Sequence, residues 1–366
     1  LVTVRKQQVA MAALPVGEVM DVRELTGQLA DECARLSETA PTFDGPMVFN
    51  ADGSVAQNVR ITLKNPTSRK VDFTIAPDSA DSRWLFSPDH NHATVAAGQS
   101  KDLTFRVRRG PESIDQFMRL PEVVVNADVL MPGHRYTMPE RSTVVPFSIE
   151  RLPVPAVPET DMALLLDGND AIRIDRPSLD IPDGPFTVEC WMKADSFASR
   201  VGVISRAENS EFGLFANGGR PHLAVHLDGR YAQAQATSVL SPGTWRHVAG
   251  VFDGAEVRIY IDGKLEGRVP GRGQRTANKL PLFIGADTDG DRRPNSFFAG
   301  RIDGIRISSG AIYSGESFTP QRRLGRGDET LLLLNMDAMF GLSPWSEAPG
   351  GPVGTAEGVP TLVPAD

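Results

Sequence analysis

Phe186-Thr-Val-Glu-Cys-Trp191, Trp245-Arg-His-Val-Ala-Gly-Val-Phe252, Ile259-Tyr-Ile-Asp-Gly263 and Phe298-Ala-Gly-Arg-Ile-Asp-Gly-Ile-Arg306 follow one another in the last two thirds of the chain. In the first run Phe186, Val188, Cys190 and Met192 alternate with their neighbours, the period of two that marks a strand with one buried face. Asp262-Gly263 is the tight turn that hairpin geometry with positive φ asks for. Working outward, strands are expected at 164–168, 171–174, 186–193, 201–205, 212–215, 223–227, 231–237, 245–252, 257–261, 282–285, 300–308 and 331–334. About a dozen short strands suit a jelly roll.

At 366 residues the chain is too long for one ordinary sandwich, so two domains are expected. A hydrophobic content of 40% with 23% charged residues lets each bury its own core. The 34 glycines and 28 prolines fit many short strands joined by turns, and the class reads all-β. A net charge of −8 argues against nucleic acid or an anionic membrane as partner, since both demand clustered Lys and Arg. The basic runs Arg106–Arg109 and Arg322–Arg326 read as solvated strand edges. No stretch is apolar for long enough to insert into a membrane. The two cysteines, Cys33 and Cys190, fall in different domains and are not expected to pair; Cys190 reads as a small buried hydrophobe.

Residues 1–14 alternate as a strand, and Val22, Leu25, Leu29, Cys33 and Leu36 recur at helical steps, giving one helix over 21–36 with Asp21 as N-cap. A lone strand and helix cannot close a core, so 1–40 is expected to be the tail of an upstream domain. From 41 to 150 the period is two: Val59, Ile61 and Leu63, an Asn65-Pro66-Thr67 turn, Val71, Phe73 and Ile75, then 103–107, 123–129 and 144–149. Three prolines in 151–160 make a stiff linker between this domain and the next, 161–340. The Gly/Pro-rich tail 341–366 is expected to be a strap or disordered. The chain opens at Leu1 without methionine or a charged-then-apolar leader, as a piece processed from a longer precursor would.

The ordered runs quoted above, over roughly 160–340, resemble the laminin G-like, concanavalin A-like jelly roll, a two-sheet sandwich that binds sugars, proteins or its own neighbouring domain. Residues 41–150 resemble the bacterial immunoglobulin-like accessory sandwiches, and the opening segment resembles the C-terminal end of secreted calcineurin-like phosphoesterases. The resemblance implies that Trp191 and Trp245 are core residues. It further implies that Asp167 and Asp303, with Asp170 nearby, lie close enough to hold a structural calcium; capping of turns is the other reading of these carboxylates.

Asp287, Asp289 and Asp291, alternating around a glycine, could converge oxygens on a calcium ion or could decorate a solvated hairpin tip. A sugar site needs aromatic faces and planar polar side chains, and the polar faces of 221–237 and 245–262 offer His222, His226, Tyr231, Gln233, Gln235, Arg246 and Tyr260. No catalytic set is recognised: the chain has no Glu-x-Asp-x-Glu, Gly-x-Ser-x-Gly or His-Glu-x-x-His run, and His90-Asn-His92 lacks carboxylate partners. These observations lead to a non-catalytic module, secreted, surface-bound or periplasmic, that recognises a glycan or protein ligand. The alternatives are the accessory half of a secreted hydrolase, a metallophosphoesterase by the opening segment, whose catalytic domain lies upstream in the same precursor, and a structural subunit of a surface assembly.

Overall fold

A computed structural model describes residues 2–5, 8–11, 23–24, 26–176 and 178–366. The regular structure of the described residues is nearly all strand, and the chain divides into two compact units, one running to Ser113 and resuming over Arg119–Pro153, the other combining Ile114–Met118 with Val154–Asp366.

The first unit is built on two antiparallel sheets. One joins Val55–Lys64 and Ser100–Arg109 in register from Val55↔Arg109 to Lys64↔Ser100, with Thr42–Phe43 and Trp84–Ser87 at its edges. The other centres on Glu122–Met131 paired with Val71–Asp78. The alternation read from the sequence sends Val59, Ile61, Leu63, Phe105 and Val107 from one sheet, and Phe73, Ile75, Val123 and Val125 from the other, into the interior. The Asn65 side chain is fully buried because it replaces the missing ladder at the turn. Its amide donates to the carbonyls of Arg69, Val95 and Ala96, while its oxygen accepts from the Thr67 N–H and hydroxyl.

The N-terminal expectations need correction. Val2–Arg5 and Gln8–Met11 form a two-stranded hairpin rather than one strand. The helix is Gly27–Glu38, capped by the Thr26 hydroxyl, which accepts from Leu29 N; Asp21, Val22 and Leu25 lie outside the described residues. The helix is also no stray tail. Leu29 and Leu36 are buried, Glu32 accepts from the Ser68 hydroxyl, and Arg141 donates to the carbonyls of Leu36 and Ser37, all within the first unit. Arg109, read as a solvated edge, is buried and donates to the carbonyls of Gly53 and Glu112.

The second unit is a sandwich of an eight-stranded and a seven-stranded sheet. The larger runs Lys264–Pro270, Glu256–Ile261, Arg246–Phe252, Phe186–Ala194, Ala299–Ser308, Met162–Asp167 and Thr361–Pro364, with Thr330–Leu334 alongside Ala299–Ser308. The smaller runs Arg230–Gln235, Arg220–Leu227, Phe212–Asn217, Gly202–Ser205, Leu282–Ile284, Ala171–Ile174 and Thr355–Glu357. Phe186, Val188, Cys190 and Met192 face Phe212, Leu214, Leu223 and Val225 in one continuous apolar core, with both cysteines free. Asp262 and Gly263 adopt φ of 50° and 76°, and a Cβ on Gly263 would stand 2.0 Å from the Phe318 carbonyl oxygen, so the turn requires glycine.

Two further corrections follow. The tail is neither strap nor disordered: Thr361–Pro364 pairs with Met162–Leu165 and Thr355–Glu357 with Ala171–Arg173, adding an edge strand to each sheet. Trp191 and Trp245 are only half-buried. They point away from the core, clasp the Arg322 guanidinium at 5.4 and 4.6 Å from their rings, and donate to the carbonyls of Gln321 and Ala365. Strand alternation explains this, since Trp191 sits between core residues Cys190 and Met192.

Candidate functional site

The seven-stranded sheet has a second face. In Arg220–Leu227 the residues Leu223, Val225 and Leu227 enter the core, so His222, Ala224 and His226 point the other way. The same alternation turns Phe215 and Asn217 outward from Phe212–Asn217, and Tyr231 and Gln233 outward from Arg230–Gln235. Register then sets them side by side: Phe215 opposite His222, Ala224 opposite Gln233, and His226 opposite Tyr231.

Together these residues shape a cleft of about 300 Å³. Phe215, Ala207 and Ala224 form an apolar floor separate from the main core. Gly213 makes the floor possible: a Cβ there would stand 2.3 Å from the Phe215 ring. The His222 imidazole stacks on Phe215 with centroids 5.2 Å apart and planes at 21°. The Arg200 guanidinium lies 5.1 Å from the Phe215 ring centre. Asp287, 1% exposed, fixes that arginine: Arg200 Nε donates to Oδ2 at 3.1 Å and Nη2 donates to the same oxygen. Oδ1 of Asp287 accepts from the Ser205 hydroxyl at 2.7 Å and from Thr288 N at 2.9 Å. Tyr231, Gln233, Asn217, Glu208 and Asn209 complete the rim. Burial holds the His222 pKa below the ordinary imidazole value, so the ring is neutral at neutral pH and offers polarity without charge.

Of the residues nominated from sequence, His222, Tyr231 and Gln233 line this cleft. His226 lies beneath Tyr231, edge to face at 4.7 Å, with its Nδ1 against the Thr276 hydroxyl. Arg246 and Tyr260 belong to the other sheet and do not contribute: Arg246 pairs with Asp262 at 2.6 Å, and Tyr260 is buried with its hydroxyl donating to the Gly315 carbonyl. Sequence reasoning missed Arg200, Phe215 and Asn217. The alternation in Phe212–Asn217 carried a signal for Phe215 and Asn217, whereas Arg200 reaches the cleft through Asp287, a contact across 87 positions.

The nominated metal ligands are not brought together. Leu164 pairs with Ile302, so Asp303 falls opposite Ala163, four residues or about 13 Å along the strand from Asp167. Asp167 caps the Asn169 N–H, and Asp303 accepts from Arg322 Nη1 and Gly304 N at 2.6 Å each. Asp170 accepts from Val359 N. In the acidic loop Asp287 is committed to Arg200 and Ser205, and Asp289 accepts from the N–H groups of Asp291 and Arg293 as a turn cap. Among the described residues no three His, Cys, Asp or Glu side chains are arranged to hold a metal ion.

Residues 166–316 match the family model of the concanavalin A-like lectin/glucanase superfamily, in its laminin G-type branch. A comparison with curated proteins finds no match. Among solved structures, a candidate carbohydrate-binding protein of Bacteroides ovatus is 13% identical, covering 90% of this chain and 98% of its own, with a TM-score of 0.46. Domain 4 of an extracellular arabinanase of Geobacillus stearothermophilus, solved with arabinotriose, is 21% identical over 43% of this chain and 75% of its own, TM-score 0.36. Domains LG4–5 of the mouse laminin α1 chain are 12% identical over 77% and 96%, TM-score 0.35.

Proposed function

We propose that the second unit is a non-catalytic carbohydrate-binding module and that its ligand lies in the cleft on the outer face of the seven-stranded sheet. The observation that carries this reading is the chemistry of the lining. Tyr231, 40% exposed, presents a ring suited to the C–H surface of a sugar beside the buried Phe215–His222 pair, while Asn217, Gln233 and Asn209 ring it with planar donors and acceptors for hydroxyl groups. Phe215 and His222 are immobilised by stacking and Arg200 by Asp287, so little side-chain entropy is lost on binding. Glycoside hydrolysis needs two carboxyl groups facing one bond, and in this lining Glu208 stands alone, Asp287 being buried and bonded to Arg200. Such a module acts where polymeric sugars are met, at or outside the cell surface.

A glycan microarray probed with the intact chain and with Tyr231→Ala tests the reading. Binding of a defined set of sugars by the intact chain, lost in the variant, is expected. Binding that survives in Tyr231→Ala unchanged places the ligand elsewhere and removes the cleft from the account.

A further inference from the structure

Beside the cleft lies a second depression, of about 410 Å³, where the edge strand Arg230–Gln235 of the seven-stranded sheet meets the edge strand Lys264–Pro270 of the eight-stranded one. Tyr231, 40% exposed, and Gln233 line both depressions, so the two adjoin at these side chains. The floor of the second is apolar, from Leu227, Ala232 and Val269, and its charged groups are Arg230 and Arg272. No carboxylate lines it, in a chain with 46 acidic residues against 38 Lys and Arg. Both arginines are exposed, and neither guanidinium has a side-chain or carbonyl partner among the described residues. The nearby Asp228 accepts from Gln274 N, lies against Gly273 and is not part of the lining. The first cleft differs in charge: its arginine is neutralised by Asp287, and Glu208 stands on its rim.

We propose that the two depressions form one groove for an acidic oligosaccharide. One sugar ring occupies the cleft against Tyr231, and a carboxylate or sulfate on the adjoining sugar is held by Arg230 and Arg272. A guanidinium presents its donors as a planar fork that matches either anion, and two such groups without internal partners surrender no existing bond to engage one. The inference rests on the carbohydrate reading of the cleft and adds the charge and minimum length of the ligand.

The test uses the full chain, Arg230→Gln, Arg272→Gln and the double variant on an array of neutral, uronate-containing and sulfated oligosaccharides, at low and high salt, with polyglutamate as a competitor that has charge but no sugar. The bound members are expected to be acidic; whether the uronate or the sulfate arm lights up identifies the anion. Each single variant is expected to weaken binding by about fivefold, and high salt to do the same. Equal binding of neutral and acidic members, unchanged binding by the double variant, or full displacement by polyglutamate would each overturn the proposal while leaving the cleft as a sugar site. Failure of every sugar to bind would instead overturn the carbohydrate reading itself, and this inference with it.

Discussion

Gly213 shows how one absent side chain sets up the site. The Phe215 ring covers the space a Cβ would take, so Gly213→Ala is expected to push the ring off His222 and abolish the floor. Overpacking of this kind costs about 1–3 kcal/mol, which urea unfolding would register as a modest fall in midpoint, alongside a larger loss of sugar binding. Unchanged binding would remove Phe215 from the site. At Asp303 two effects oppose one another. Burial pushes its carboxyl up and Arg322 pulls it down; burial prevails and the pKa rises to about 7. The folded state therefore keeps a proton that the unfolded chain releases near pH 4, and this group's contribution to stability is full below about pH 4 and is lost as pH rises to about 7. Melting of wild type and Asp303→Asn across that range checks it: the wild type should lose ground against the variant as pH rises, and a constant difference contradicts the shift. Neither residue announces its role in the sequence, because each depends on a neighbour brought in by folding.

The elements themselves were legible wherever a period of two ran against one core. Phe186–Ala194, Arg246–Phe252, Glu256–Ile261 and Ala299–Ser308 appear where the alternation and the Asp262-Gly263 turn put them. Strands without alternation were not legible. Thr361–Pro364 and Thr355–Glu357 sit among glycines and prolines, and their strand character comes from the exposed ladder groups of the strands they pair with. The edge strand Lys264–Pro270 was hidden in the same way, being mostly half-exposed. Deleting residues 360–366 should accordingly lower the melting temperature of the chain by at least about 5 °C, because it unpairs Met162–Leu165 and strips Leu362 from the core. A deletion that melts with the intact chain would restore the strap.

At the scale of the molecule, the candidate sugar residues were chosen by type, and only the sheet topology could sort them. His222, Tyr231 and Gln233 share a face with one another, and Arg246 and Tyr260 lie on the opposite sheet, a division invisible until pairing is known. Asp303, Asp287 and Asp167, nominated for calcium, likewise found other partners, in Arg322, Arg200 and a backbone N–H group. Chelation is therefore expected to leave the melting curve unchanged; a fall of several degrees that calcium restores would contradict these pairings. The central claim is that the cleft beside Tyr231 holds the ligand. Calorimetric titration of the sugar selected on the array into wild type, Tyr231→Ala and Arg246→Ala tests it most directly. The account expects Tyr231→Ala to lose about 2 kcal/mol, roughly thirtyfold in affinity, with Arg246→Ala indistinguishable from wild type. Loss at Arg246 with Tyr231 silent would place the site on the other sheet and contradict it.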